Sequence, residues 1–127
     1  MILILFNYDN IALYQARWLS DMFGDKYYDD FVDITNTFYH QSFSRKPEFM
    51  GWGYQWTTNK HGKERNTDTD FSFANYQEAE SRLAAYERIG TKVGKILNEL
   101  SPKQKAAFYQ LLYYPVKGCE LLNKMVL

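Results

Sequence analysis

The most constraining feature of this sequence is an apolar repeat in its second half. Apolar or small residues recur there at alternating steps of four and three, the spacing of one face of an α-helix. The repeat consists of Ala79, Leu83, Tyr86, Gly90, Val93, Leu97 and Leu100. It predicts one long helix that packs against other helices. Asn75 with Glu78 three residues later resembles a capping box, which predicts the helix start.

Two glycines interrupt this long helix. Gly90 and Gly94 would each cost about 1 kcal/mol relative to Ala in a helix interior. We therefore expect them either to permit the close approach of another helix or to kink this one.

Two further helices are predicted in the first third of the chain, over residues 10–23 and about 26–42. The first carries two neighbouring apolar stripes: Ile11, Tyr14, Trp18 and Met22 in one, and Ala12, Ala16, Leu19 and Phe23 in the other. We expect Gly24 to end it, because Gly takes the left-handed conformation at low cost. The face of the second consists of Tyr27, Phe31, Ile34 and Phe38. Its acidic residues Asp29, Asp30 and Asp33 suit the positive end of a helix better than a metal site.

The fourth predicted helix has a clear start signal. Ser101 is the expected cap, Pro102 takes the first helical position, and Gln104 completes a capping box. Two adjacent stripes follow: Ala107, Leu111, Tyr114, Gly118, Leu121 and Met125 form one, and Phe108, Leu112, Cys119, Leu122 and Val126 form the other. Pro115 lies inside this pattern and is expected to kink the helix or split it in two.

No segment shows sustained apolar alternation, so the sequence predicts an all-α fold. We expect one domain over residues 1–127, a bundle of four helices, or five if Pro115 divides the last, in up-down-up-down order. A long irregular loop, about residues 44–75, is expected between helices 2 and 3. Apolar patterns run up to both ends, so we expect a piece of a larger protein.

Composition excludes several classes of function. With 15 basic and 15 acidic residues the net charge is zero, so the usual electrostatic signature of a nucleic-acid binder is missing. One cysteine, Cys119, excludes an intrachain disulfide and a Cys-rich zinc site. No apolar run approaches the roughly 20 residues of a membrane-spanning helix.

Few residues suggest chemistry. Phosphate-binding glycine loops and a Ser nucleophile elbow are missing, and the spacing of His40 and His61 is not typical of a metal site. We therefore expect no catalytic residue, metal or cofactor. The candidate binding residues lie in the predicted loop: Arg45, Glu48, Trp52, Tyr54 and Trp56. Their rings suit stacking on sugars or anchoring a partner protein; alternatively they pack under the loop, and Arg45 pairs with Glu48.

Several motifs together resemble a known family. They are Tyr8-Asp9-Asn10-Ile11-Ala12-Leu13-Tyr14 with Arg17-Trp18-Leu19 and Phe23-Gly24; Arg45-Lys46-Pro47-Glu48; Tyr76 to Tyr86 with Glu78-Ala79; Phe108-Tyr109-Gln110-Leu111; Tyr114-Pro115-Val116-Lys117; and Leu122-Asn123-Lys124-Met125. In this order they are similar to the helical region of glycoside hydrolase family 115, the xylan α-glucuronidases.

The resemblance implies a large, multidomain parent enzyme, secreted or periplasmic. Its neighbouring domains would be a catalytic (β/α)-barrel before this segment and a β-sandwich after it, and the parent is a possible homodimer. The implied reaction is inverting hydrolysis that releases (4-O-methyl)glucuronic acid from glucuronoxylan. The catalytic carboxylates belong to the barrel, so this chain is expected to brace the barrel and to border the substrate cleft. The alternatives are an independent carbohydrate-binding module and a protein-interaction or dimerisation module.

Overall fold

The computed structural model describes residues 8–44 and 77–127, and within these ranges the regular structure is entirely helical. The α-helices are α1 (Tyr8–Phe23), α2 (Tyr28–Ser44), α3 (Glu78–Glu99), α4 (Pro102–Phe108) and α5 (Tyr114–Val126). A 3-10 turn, Asp25–Tyr27, joins α1 to α2, and a π-helical turn, Tyr109–Tyr113, joins α4 to α5 without a break. We call α4, the π-helical turn and α5 together the fourth helix. The predicted all-α, four-helix bundle is confirmed.

Pairs of side chains show that successive helices are antiparallel. Between α2 and α3, Tyr27 donates to Glu99 at 2.7 Å near one end, whereas Arg82 donates to the carbonyl of Gln41 at 2.9 Å near the other. Between α3 and the fourth helix, Arg82 bonds Asn123, whereas Gly90 packs on Glu120. The order is therefore up-down-up-down, as expected from the sequence.

Aromatic rings occupy the centre of the core. The rings of Phe23, Phe31 and Phe108, from three different helices, lie with centroids 5.1 to 6.4 Å apart in tilted or edge-to-face arrangements. Phe31 and Phe108 are fully buried. Such pairs contribute about 1 kcal/mol beyond the area they bury, so this cluster holds α1, α2 and the fourth helix together.

Two of the three predicted helix boundaries are confirmed. Gly24 ends α1 with φ = 127°, a conformation that favours glycine, and its N–H donates to the carbonyl of Ser20 at 2.9 Å. At the start of α4, Oε1 of Gln104 accepts from the hydroxyl of Ser101 at 3.0 Å and from its N–H at 3.4 Å. These bonds agree with the predicted capping box.

The predicted capping box at Asn75 and Glu78 was wrong. Gln77 has φ = 51° and ψ = 40°, a left-handed conformation that cannot lie inside a right-handed helix. Helix α3 therefore begins at Glu78, and the carbonyl of Gln77 accepts the first bond, from the N–H of Ser81 at 2.9 Å. Glu78 is the first helical residue rather than the third.

The two apolar stripes of α1 have different environments. Ala16, Leu19 and Phe23 are buried, as expected of a core stripe. The other stripe remains exposed; it consists of Ile11, Tyr14, Trp18 and Met22. The fourth helix repeats this division. Phe108 and Leu112 are buried, whereas the large side chains of the adjacent stripe, Leu111, Tyr114, Leu121 and Met125, are exposed.

The acidic cluster of α2 joins α2 to α3. Arg88 binds both carboxylate oxygens of Asp33, at 3.0 and 3.2 Å, and Lys92 bridges Asp33 at 2.9 Å and Asp30 at 3.2 Å. Burial raises the pKa of Asp33, but the bonds from Arg88 and Lys92 outweigh it and lower that pKa from 3.8 to about 2. The cluster is a network of interhelical ion pairs.

Gly90 permits the closest approach between α3 and α5. A Cβ at Gly90 would overlap Oε2 of Glu120 and lie 2.8 Å from its Cδ. Glu120 is buried, and both Lys117 and Lys124 bind its carboxylate. The expected close approach is thus confirmed for Gly90, whereas a Cβ at Gly94 would meet no atom of the described residues within 4 Å.

Candidate interaction surface

A small cleft opens between α1, α2 and the fourth helix. Its volume is about 160 Å³, below the roughly 300–1,000 Å³ of typical small-molecule sites. Ten residues line it, and none is charged: Gln15, Trp18, Leu19, Thr35, Phe38, Tyr39, Leu111, Leu112, Pro115 and Val116. The cleft therefore offers space for one apolar group of side-chain size.

Two polar groups around the cleft are hydrogen-bonded within the protein. The amide of Gln15 donates to the hydroxyl of Tyr39 at 2.9 Å and joins α1 to α2. The hydroxyl of Thr35 donates to the carbonyl of Phe31, one turn earlier in α2. The cleft therefore presents mainly the carbon atoms of aromatic rings and aliphatic side chains.

The π-helical turn forms one wall of the cleft. Pro115 has no N–H, and its ring would clash with the carbonyl of residue 111 in a regular α-helix. The wider π-helical turn immediately before it accommodates this constraint. The turn also directs two adjacent leucines apart: Leu112 is buried, whereas Leu111 is exposed on the cleft rim. Pro115 was expected to kink the helix or split it in two; the structure instead shows a change of helix type just before Pro115, and the helix continues through it.

Large exposed side chains flank the cleft, and we call four of them the aromatic face. Their exposed fractions are 71% for Tyr14, 46% for Trp18, 43% for Leu111 and 66% for Tyr114. Taking about 200 Å² for an aromatic side chain, the three rings present roughly 350 Å² to solvent. Patches of about 300–600 Å² are the largest on typical monomers and are often functional.

The helix directions bring these four residues together. At one end of the α1–fourth helix pair, the amide of Gln104 donates to the carbonyl of Met22 at 3.3 Å. One turn further along α1, Trp18 lines the cleft with Leu111. Because the helices are antiparallel, the next turn of α1 brings Tyr14 to the level of Tyr114. The aromatic face therefore follows the seam between the two helices.

A second cluster, which we call the arginine hub, lies where α2 ends and α3 begins. Arg82 is 1% exposed, and its guanidinium donates to Oδ1 of Asn123 at 2.6 Å and to the carbonyl and Oε1 of Gln41 at 2.9 and 3.1 Å. It also reaches the hydroxyl of Ser44 at 3.3 Å and lies over the ring of Tyr86. A cation suits the negative carboxyl end of a helix, so the hub holds the end of α2 against α3 and α5.

The buried carboxylate of Glu120 is compensated in the same interface. Burial raises its pKa, but hydrogen bonds from Lys117 and Lys124 outweigh this and hold the pKa below its ordinary value. Lys124 also bridges to Glu87 on α3 at 3.1 Å. Glu120 is thus an ionised residue in the interface between α3 and α5, and Lys124 links it to Glu87 of α3.

The candidate residues predicted from the sequence cannot be located relative to these clusters. Arg45, Glu48, Trp52, Tyr54 and Trp56 lie outside the described residues and stay predictions. The helices on either side of them, α2 and α3, meet at the arginine hub.

Other kinds of site are not found in the described ranges. Residues 8–44 and 77–127 contain no group of three or more His, Cys, Asp or Glu side chains that could hold a metal ion. His40 is exposed, and Cys119 is half-buried. No helix in these ranges is long and apolar enough to cross a membrane.

Sequence reasoning identified the stripes of the aromatic face but missed the buried polar residues. Arg82, Glu120 and Asn123 are buried although their residue types favour the surface. A positional signal exists for two of them. Arg82 lies four residues before Tyr86, and Glu120 lies four residues after the buried Val116. Both follow the helical spacing of a buried face.

Comparisons of this chain with protein-family profiles, with curated proteins and with solved structures found no match.

Proposed function

We propose that this chain is a non-catalytic helical docking domain, which packs its aromatic face against a neighbouring protein surface. One observation carries the proposal: α1 and the fourth helix each bury one apolar stripe in the bundle and leave a second exposed along their seam. A four-helix bundle needs only one such stripe per helix. The second stripe is surplus to the fold.

The energetic scale supports contact with another protein. Burying roughly 350 Å² of ring surface would contribute roughly 9 kcal/mol before the cost of association. Tyr and Trp are also the residue types that most often dominate protein interfaces. The described titratable side chains with shifted pKa values all form ion pairs or hydrogen bonds between protein groups, which favours a supporting role over a chemical one.

The resemblance stated above supplies a specific form of the proposal. The neighbour would be the catalytic barrel or β-sandwich of a secreted or periplasmic xylan α-glucuronidase, and this chain would brace the barrel beside its substrate cleft. The surplus apolar faces are what such a bracing domain requires, since adjoining domains would cover them. The parent would release (4-O-methyl)glucuronic acid from glucuronoxylan with carboxylates of its barrel.

Co-expression tests this proposal. The chain would be produced together with a family 115 enzyme from which the helical region has been removed. We expect the two to co-purify in equal amounts and the double variant Tyr14→Lys/Tyr114→Lys to abolish this. Asn98→Lys is the matched control, because Asn98 is exposed on α3. Equal co-purification of all three forms would contradict docking through the aromatic face, and co-purification of none would contradict the α-glucuronidase as the parent.

An NMR titration separates docking from sugar binding. Aldouronic xylan oligosaccharides would be added to the isotopically labelled chain. A docking domain predicts unchanged indole signals up to about 1 mM sugar, a concentration that detects even weak affinity. Saturable shifts would favour a carbohydrate-binding module instead, and release of glucuronic acid by the chain alone would identify an enzyme.

A further inference from the structure

We propose that the cleft beside Trp18 is an anchor pocket for one large apolar side chain, carried by an amphipathic helix of the partner protein. We further propose that this helix carries carboxylates at the end that lies near Lys103 and Lys105. The inference rests on the docking role proposed above and names the chemistry of the partner. It does not depend on the identity of the parent enzyme.

The first argument is the size and chemistry of the cleft. An apolar cavity of about 150 Å³ binds a group of the size of benzene, and this cleft encloses about 160 Å³. The described residues that line it are uncharged, and the amide nitrogen of Gln15 and the hydroxyl of Thr35 donate to groups within the protein. A Phe or Leu side chain fits this environment, whereas a charged group would lose its hydration without gaining a partner.

The second argument is the shape of the surface. Tyr14, Trp18 and Met22 are exposed at intervals of four residues along α1, which corresponds to about 6 Å between neighbours. The seam with the fourth helix runs parallel to this row. A partner helix in that seam would present apolar residues at i, i+4 and i+7, close to the same 5.4 Å pitch. An extended strand has a different repeat and would match the row less well.

The third argument is charge. Lys103 and Lys105 are exposed, and neither forms an ion pair with a described residue. Lys117 and Lys124 of the same helix both bind Glu120. Lys103 and Lys105 lie on either side of Gln104, whose amide donates to the carbonyl of Met22, so this turn of α4 lies at one end of the seam. Carboxylates of the partner would complement this end.

Synthetic peptides test the inference with the full chain. The first probe is a helical peptide of about 14 residues, four turns, with leucines at heptad spacing, one central phenylalanine and three glutamates at one end. The second carries lysines in place of the glutamates, and the third has alanine in place of the phenylalanine. Binding would be followed by the NMR signals of the Trp18 indole and the Leu111 and Leu112 methyl groups.

We expect the first peptide to shift these signals and to bind about tenfold more tightly than either of the others. Leu111→Asp should weaken binding by a similar factor, with circular dichroism confirming that the variant is folded. The double variant Lys103→Ala/Lys105→Ala should remove the preference for glutamate over lysine. Lys95→Ala is the matched control, because Lys95 is exposed on α3.

Three outcomes would overturn the inference: no shift at Trp18 and Leu111 up to about 1 mM peptide, equal affinity for all three peptides, or sedimentation data in which a second copy of the chain already occupies the seam. Peptide binding without co-purification of the truncated enzyme would support the anchor pocket but contradict the α-glucuronidase as the parent. Co-purification without peptide binding would retain the docking role and reject the anchor pocket.

Discussion

The contact between Gly90 and Glu120 makes a quantitative prediction for the substitution Gly90→Ala. In an exposed helix interior this change stabilises a protein by about 1 kcal/mol, because Ala has the higher helix propensity. Here the added methyl group would overlap Oε2 of Glu120 and lie 3.4 Å from Nζ of Lys117. Glu120 must therefore move, although it is buried and held by Lys117 and Lys124.

The expected cost exceeds the gain in propensity. Inserting a methyl group into a packed site costs about 1–3 kcal/mol, and weakening two partly exposed ion pairs adds up to about 1 kcal/mol. The net effect of Gly90→Ala is a loss of up to about 3 kcal/mol. Gly94→Ala and Gly118→Ala are matched controls, because a Cβ at either position would meet nothing within 4 Å in residues 8–44 and 77–127. Each should stabilise the bundle by about 1 kcal/mol.

Urea unfolding followed by circular dichroism would measure these differences. We expect Gly90→Ala to lower the free energy of unfolding while Gly94→Ala raises it. In a Glu120→Ala background the obstacle is gone, so adding Gly90→Ala should become neutral or stabilising. If Gly90→Ala stabilised the protein as much as Gly94→Ala does, the close packing of Glu120 on α3 would be refuted.

Three further predictions concern residues of the interhelical contacts and of the cleft. The pKa of Asp33 is about 2 in the folded protein, against an ordinary value of 3.8. The stability that its ionised carboxylate contributes is therefore complete above about pH 4 and is lost as the pH falls towards 2. After allowance for partial exposure, we expect urea unfolding over that pH range to show a loss of about 1–2 kcal/mol, which should be absent in Asp33→Asn. Arg82→Met should cost about 3 kcal/mol in the same assay, since it removes the buried donors of the arginine hub, and a loss below about 1 kcal/mol would contradict the hub. Trp18→Ala should cost clearly less than Leu19→Ala beside it, which should cost about 2–5 kcal/mol; equal losses would mean that the exposed stripe is part of the core.

The helices themselves could be predicted because their signals are local. Gly24 and the Ser101–Gln104 pair mark boundaries through backbone conformation and capping bonds, which depend on a few neighbouring residues. The buried face of α2, with Phe31 and Ile34, follows directly from the apolar spacing. Local chemistry and periodicity were enough for these elements.

Other features depend on partners that are distant in the sequence. The sequence gives α1 two apolar stripes, and only the packing decides that Leu19 is buried while Trp18 is exposed. The burial of Arg82 requires acceptors from both α2 and α5, more than 35 positions away in each direction. The left-handed Gln77 has no strong residue signal, because Gly or Asn is the usual choice for that conformation.

The π-helical turn also determines how the second half of the fourth helix is rotated about its axis relative to the first half. Four of the buried positions there, Phe108, Leu112, Val116 and Glu120, lie four residues apart, and the buried Asn123 follows three residues later. In a regular α-helix each such step rotates the side chain by about 40°, so the row would drift around the helix. The wider turn offsets part of this rotation. The buried side chains of the first half therefore face the core, and those of the second half face α3. Deleting one residue within Tyr109–Tyr113 would rotate one half by about 100° relative to the other. The turn therefore sets the rotation between the two packing surfaces of the fourth helix, so we expect that not even one residue can be inserted or deleted within it.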